Sequence, residues 1–89
     1  MFQIFITSIN GKTISIDVNE VDTIKELKER IYLKSGIPCI YHILVYSGKN
    51  LIDIETIQFY KIKESDTIRF SIRIGTPFIV TKNNKNPLL

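Results

Sequence analysis

Cys39 and His42 are the residues of this 89-residue chain whose types most readily suggest chemistry. A thiol and an imidazole three positions apart could form a nucleophile–base pair or contribute two ligands to a zinc ion. The chain has one Cys and one His, so a tetrahedral zinc site would lack its other ligands. The run Ile40 to Tyr46 reads as a strand, and residues three apart on a strand point to opposite faces, which argues against a dyad. Asp53 and Glu55 make an acidic pair, but in a stretch that reads as loop, where carboxylates are ordinarily solvated. No Gly-rich phosphate loop is present. The sequence therefore predicts no enzyme, no cofactor and no metal.

The elements that must position any other site follow from composition and pattern. The length is that of one domain with one modest core. Hydrophobic residues make up 44% and charged residues 24%, which argues against wholesale disorder. No apolar run approaches the roughly 18 residues needed to cross a bilayer. The start, Met1-Phe2-Gln3-Ile4-Phe5, lacks the marks of a signal peptide. A lone cysteine fits a reducing compartment, cytoplasm or nucleus. The net charge is +3, yet the twelve basic residues are spread along the chain rather than gathered on one face. That pattern argues against nucleic acid as a direct ligand. Isoleucine fills 18 of 89 positions, so any single Ile is weak evidence of function.

Phe2 to Ser8 and Lys12 to Val18 alternate apolar and polar residues, the signature of half-buried strands. Asn10-Gly11 between them predicts a hairpin. Thr23 followed by Glu26 is a capping box opening a helix over about Ile24 to Ser35, with Ile24, Leu27 and Ile31 as its apolar stripe. Glu26 and Arg30 are placed for an i,i+4 pair. Gly36 suits a left-handed cap and Pro38 prevents continuation. A strand over Ile40 to Tyr46, a turn at Ser47-Gly48-Lys49-Asn50 and a short helical turn near Ile57 to Tyr60 follow. Thr67 to Ile74 alternates again. One helix against one mixed sheet gives a two-layer α+β domain.

This order, and these residues, resemble ubiquitin. The resemblance runs without a gap from Gln3 to Ile74. It is dense at Gln3-Ile4-Phe5, at Asn10-Gly11-Lys12-Thr13-Ile14 and at Asp22-Thr23-Ile24. It returns at Gly36-Ile37-Pro38, at Ser47-Gly48-Lys49-Asn50-Leu51 and at Tyr60-Lys61-Ile62. It implies a β-grasp fold in ββαββ order, with four to five strands packed on one helix. The domain would occupy residues 1–75, with 76–89 as a C-terminal tail. The implied core is Ile4, Ile6, Ile14, Ile16, Val18, Ile24, Leu27, Ile31, Leu44, Leu51, Ile57, Ile62, Ile68 and Phe70. It also implies a Lys28–Asp53 ion pair and a Tyr60 hydroxyl that ties down the preceding loop.

The family's functional positions are only partly kept. Its main recognition patch falls on Ile9, Val45, Gly48, Arg69 and Ser71. A charge and a hydroxyl there penalise partners that bury the patch dry. A second patch, Ile9, Ile37, Ile72 and Ile74, is wholly aliphatic. A third, Gln3, Phe5 and Thr13, keeps the family residues. Lys12, Lys28, Lys34 and Lys49 match family chain-forming lysines, while three further such positions read Thr7, Arg30 and Glu64. The family's two terminal glycines are replaced by Gly75-Thr76-Pro77, and no Gly-Gly pair occurs from there to Leu89. Conjugation needs a terminal glycine carboxylate and a slim tail, whereas Pro77 restrains its own φ and the residue before it.

Positions polar or small in the family are apolar here in two groups: Ile40, Tyr41 and Ile43, then Ile52, Ile54 and Phe59. Phe78, Ile79 and Val80 add an apolar stretch in the tail, which could pair as a strand with a partner's sheet edge. Such patches ordinarily mark interaction sites. The sequence therefore predicts a non-conjugated ubiquitin-like module that binds other proteins, as a small subunit of a multi-subunit assembly. Two alternatives stay open. One is a covalent modifier or its degenerate relative. The other is a soluble adaptor that mimics ubiquitin to dock on ubiquitin-binding domains or the proteasome.

Overall fold

The computed structural model describes residues 1–8 and 10–73. Five strands and one helix follow in order: β1 (Phe2–Ser8), β2 (Thr13–Val18), α1 (Ile24–Ser35), β3 (His42–Tyr46), β4 (Lys49–Asn50) and β5 (Thr67–Ile72). The sheet order is β2-β1-β5-β3-β4. β1 runs parallel to β5, and the other neighbours pair antiparallel. This is the expected β-grasp, with α1 laid across one face of a mixed sheet.

Side-chain alternation decides which face is which. Ile4 and Ile6 of β1, Ile16 and Val18 of β2, Leu44 of β3, and Ile68 and Phe70 of β5 point inward and are buried. They meet Ile24, Leu27 and Ile31 of the helix, with Leu51, Ile57 and Ile62 closing the core from the loops. Each such side chain taken from water contributes roughly 1.5–3 kcal/mol. Ile14, expected in this core, is half-buried at its edge.

The helix start shows how completely its unpaired donors are met. The Glu26 N–H donates to the Thr23 hydroxyl, and the Thr23 N–H donates to the Glu26 carboxylate. The Ile24 and Lys25 N–H groups donate to the carbonyls of Glu55 and Asp53 at 2.8 and 3.1 Å. The 51–60 loop is thereby bound to the helix. Lys28 Nζ adds its 2.7 Å pair with Asp53, and the Tyr60 hydroxyl accepts from the Ile52 N–H at 2.9 Å. At the other end Gly36 caps α1 at φ 77, and its N–H donates to Tyr32 O.

Two local expectations are corrected. Arg30 does not pair with Glu26, which is committed to the cap. Its guanidinium donates to the Asp22 carboxylate at 2.5 Å and to Asp17 O at 3.2 Å. The third strand begins at His42 rather than Ile40, because Cys39–Tyr41 forms a 3-10 turn closed by the Tyr41 N–H on Pro38 O. Cys39 and His42 therefore do not share a strand. The alternation of a shared strand thus does not set them on opposite faces, as the sequence predicted.

Candidate protein-binding surface

The sheet face turned away from the helix carries the odd-numbered residues of β3 and β5. Cross-strand register sets Val45 opposite Arg69 and Ile43 opposite Ser71. Directly opposed residues lie about 5 Å apart, so these four side chains form one patch. Thr7 of β1 flanks Arg69 on its other side. Ile43, Val45 and Ser71 are half-buried and Arg69 is exposed. Gly48 borders the patch in the β3–β4 turn, where Ser47 and Gly48 adopt φ 52 and φ 76. Positive φ at both central residues matches the twist of a two-residue hairpin turn. The geometry is that of an apolar pair interrupted by one cation and one hydroxyl.

The fold, the core positions and the cap-to-loop ties all point one way, and the sequence profile of the ubiquitin family matches residues 4–74. The chain belongs to the ubiquitin family. A NEDD8-like protein RUB3 of Arabidopsis thaliana is 32% identical over 72 residues, covering 81% of this chain and 92% of that protein. The ubiquitin-like protein NEDD8 of Dictyostelium discoideum is 30% identical over 69 residues, with 78% and 90% covered. The UV excision repair protein RAD23 homolog B of Rattus norvegicus is 32% identical over 69 residues, 74% of this chain but only 17% of that protein. The ubiquitin fold thus occurs among these relatives both as nearly the whole chain and as a small part of a long one.

Ile37 and Ile72 of the second patch line one groove of about 580 Å³. Its walls come from Ile6 and Ile14 of the hairpin, Ile31 of α1 and Phe70 of β5, with Lys12 and Lys34 among its polar lining. Ile72 lies on the helix-side face of β5, but past the end of the core, and is 44% exposed. The two groups of extra apolar residues separate. Ile40 and Tyr41 sit in the 3-10 turn, and Tyr41 O accepts the Arg73 N–H at 2.7 Å, which prolongs the β3–β5 edge beside Ile43. Ile52, Ile54 and Phe59 lie exposed on the 51–60 loop at the N-terminal end of the helix. Val21, 65% exposed, belongs to the same end: its neighbours Glu20 and Asp22 accept from the Gln58 and Ile57 N–H groups. Sequence reasoning missed Val21, and equally Leu33 at 80% exposed, because an isolated aliphatic carries no signal against the isoleucine background. Ile9, Ile74, Phe78, Ile79 and Val80 lie outside the described residues.

The chemical candidates are placed as follows. His42 turns inward at 2% exposed, with its Nε2 2.7 Å from Ile37 O. Cys39 is half-buried and unbridged. Asp53 is held by Lys28. Among the described residues no group of three or more His, Cys, Asp or Glu could hold a metal, and no helix is long and apolar enough to cross a membrane.

Proposed function

We propose that this ubiquitin-family chain is a non-conjugated interaction module, without catalysis of its own, that serves as a small subunit of a larger protein assembly. The observation that carries the reading is the outer sheet face. There Ile43 and Val45 flank Arg69 and Ser71 on a framework whose backbone donors are tied into the sheet. A partner would bury the aliphatic pair and bring a carboxylate or carbonyl to Arg69, since a guanidinium buried without an acceptor costs several kcal/mol. Ile37 and Ile72 offer a second, aliphatic contact. The replacement of the family's terminal glycines by Gly75-Thr76-Pro77 supports the non-covalent part of the reading. The family's covalent mode is the competing reading, favoured by the resemblance to NEDD8-named relatives over nearly their whole length.

The test is size-exclusion chromatography of the N-terminally tagged chain from its native cells, beside Val45→Arg. The wild type should elute in a complex far above its own 10.3 kDa, and the variant at the monomer position with an unchanged circular dichroism spectrum. Co-elution of both at the same large size would remove the outer sheet face from the account.

A further inference from the structure

Among the described residues Asp22 and His42 are the buried titratable groups; Asp22 is paired with Arg30, whereas the surroundings of the His42 ring favour only one of its protonation states. A carbonyl can only accept, so the 2.7 Å contact with Ile37 O places the ring hydrogen on Nε2. In the neutral ring Nδ1 then holds a lone pair. Nδ1 is buried and finds no hydrogen-bond partner among the described residues. A bare lone pair is tolerable there, whereas a protonated Nδ1 would be a buried charged donor with no acceptor. Two further neighbours are apolar. Phe70 stands edge-on to the ring with centroids 4.9 Å apart, and Ile72 is its partner in register. Ile37, Phe70 and Ile72 bring no charge. The charged side chain whose field reaches the ring is Lys28 of α1, itself held by Asp53, and a cation there also opposes protonation.

We propose that His42 is an acid-released latch: neutral, it pins the Ile37 carbonyl and backs the Ile37–Ile72 groove; protonated, it is disfavoured in its buried position and lets that surface loosen. The latch regulates the second contact of the docking reading above and rests on that reading only for its biological use. Burial first, with Lys28 adding to it, outweighs the Ile37 carbonyl and holds the imidazole below its ordinary value of 6.5. The sign follows. Above about pH 6.5 both folded and open chains are neutral at His42 and the latch is fully closed. Below it the open chain takes up the proton first, so the closed-to-open ratio falls by up to about tenfold per pH unit. The loss stops growing once the pH falls below the folded-state value.

The test is an NMR titration of the full chain from pH 7.5 to 4.5. It follows the His42 ring nitrogens and the methyl groups of Ile37 and Ile72, with Ile57 as a distant core reference. The expected result is a protonated Nε2 and unprotonated Nδ1 at pH 7, a midpoint below 6.5, and Ile37 and Ile72 signals moving with the same midpoint while Ile57 stays. His42→Gln keeps an N–H for the Ile37 carbonyl but cannot be protonated, and should abolish the transition. A hydrogen on Nδ1 at pH 7, a midpoint at or above 6.5, or Ile37 and Ile72 signals that ignore the titration would each overturn the latch in the wild type alone, whatever the variant does. If the titration is as expected but Ile37→Asp leaves the native complex intact, the latch stands and the second contact of the docking reading falls.

Discussion

Among the described residues, Asp66 and Asp22 are carboxylates whose hydrogen-bond partners favour the charged form. The Tyr46 hydroxyl donates to Asp66 Oδ2 at 2.5 Å, and the Lys63 N–H donates to the same oxygen at 2.8 Å. These bonds, the tyrosine first, hold the Asp66 carboxyl below its ordinary 3.8, and the same pairing raises the Tyr46 phenol above 10.0. At Asp22 burial works the other way, but the Arg30 guanidinium and the Asn19 N–H outweigh it and the carboxyl is also lowered. A depressed carboxylate contributes stability that is full above about pH 3.8 and is lost as the pH falls through the folded-state value. Acid destabilisation through these two groups therefore sets in at lower pH, below about 3.8, than the His42 transition, which begins near 6.5. Tyr46→Phe should cost about 1 kcal/mol in urea unfolding at pH 7. It should also return Asp66 toward 3.8 in a carboxyl titration. An unmoved Asp66 would mean that the hydroxyl does not govern it. The Lys63 and Asn19 N–H groups lie three positions from their carboxylates, but the tyrosine is not legible locally: Tyr46 and Asp66 are twenty positions apart.

At the level of single elements, the helix was the most legible. Thr23, Glu26 and Gly36 fix both its ends by donors and φ values that depend on the local sequence alone. Thr23→Ala should lower the thermal-unfolding stability by about 1 kcal/mol, because the Glu26 N–H loses its acceptor. Gly36→Ala should cost a similar amount, since φ 77 strains any side chain. Equal melting temperatures for wild type and either variant would contradict the capping account. The start of β3 was not legible. Ile40 and Tyr41 are strong strand formers by composition, but the Tyr41 N–H closes on Pro38 O and the chain turns once before entering the sheet. Arg30 was likewise misplaced, because Glu26, its i,i+4 neighbour, is consumed by the cap while Asp22 stands within reach of the guanidinium.

At the scale of the whole molecule, the β-grasp and nearly all of its core could be read from alternation, the helix stripe and the family resemblance together. The candidate surfaces were less legible. Resemblance located Val45, Gly48, Arg69 and Ser71; the register puts Val45, Arg69 and Ser71 on one face, with Gly48 in the turn that follows β3. It could not say that Ile43 completes that patch while Ile52, Ile54 and Phe59 stand at the helix end with Val21, since composition does not separate the two. Val45→Arg should abolish assembly through the sheet face without changing the fold, while Phe59→Ser should leave that assembly intact. The most direct test of the central claim is the apparent mass of the N-terminally tagged chain from native cells, measured natively and then under denaturing, reducing conditions. The account predicts a large native species that collapses to a single band at the chain's own 10.3 kDa plus the tag. A ladder of heavier bands surviving denaturation would mean covalent attachment and would contradict it.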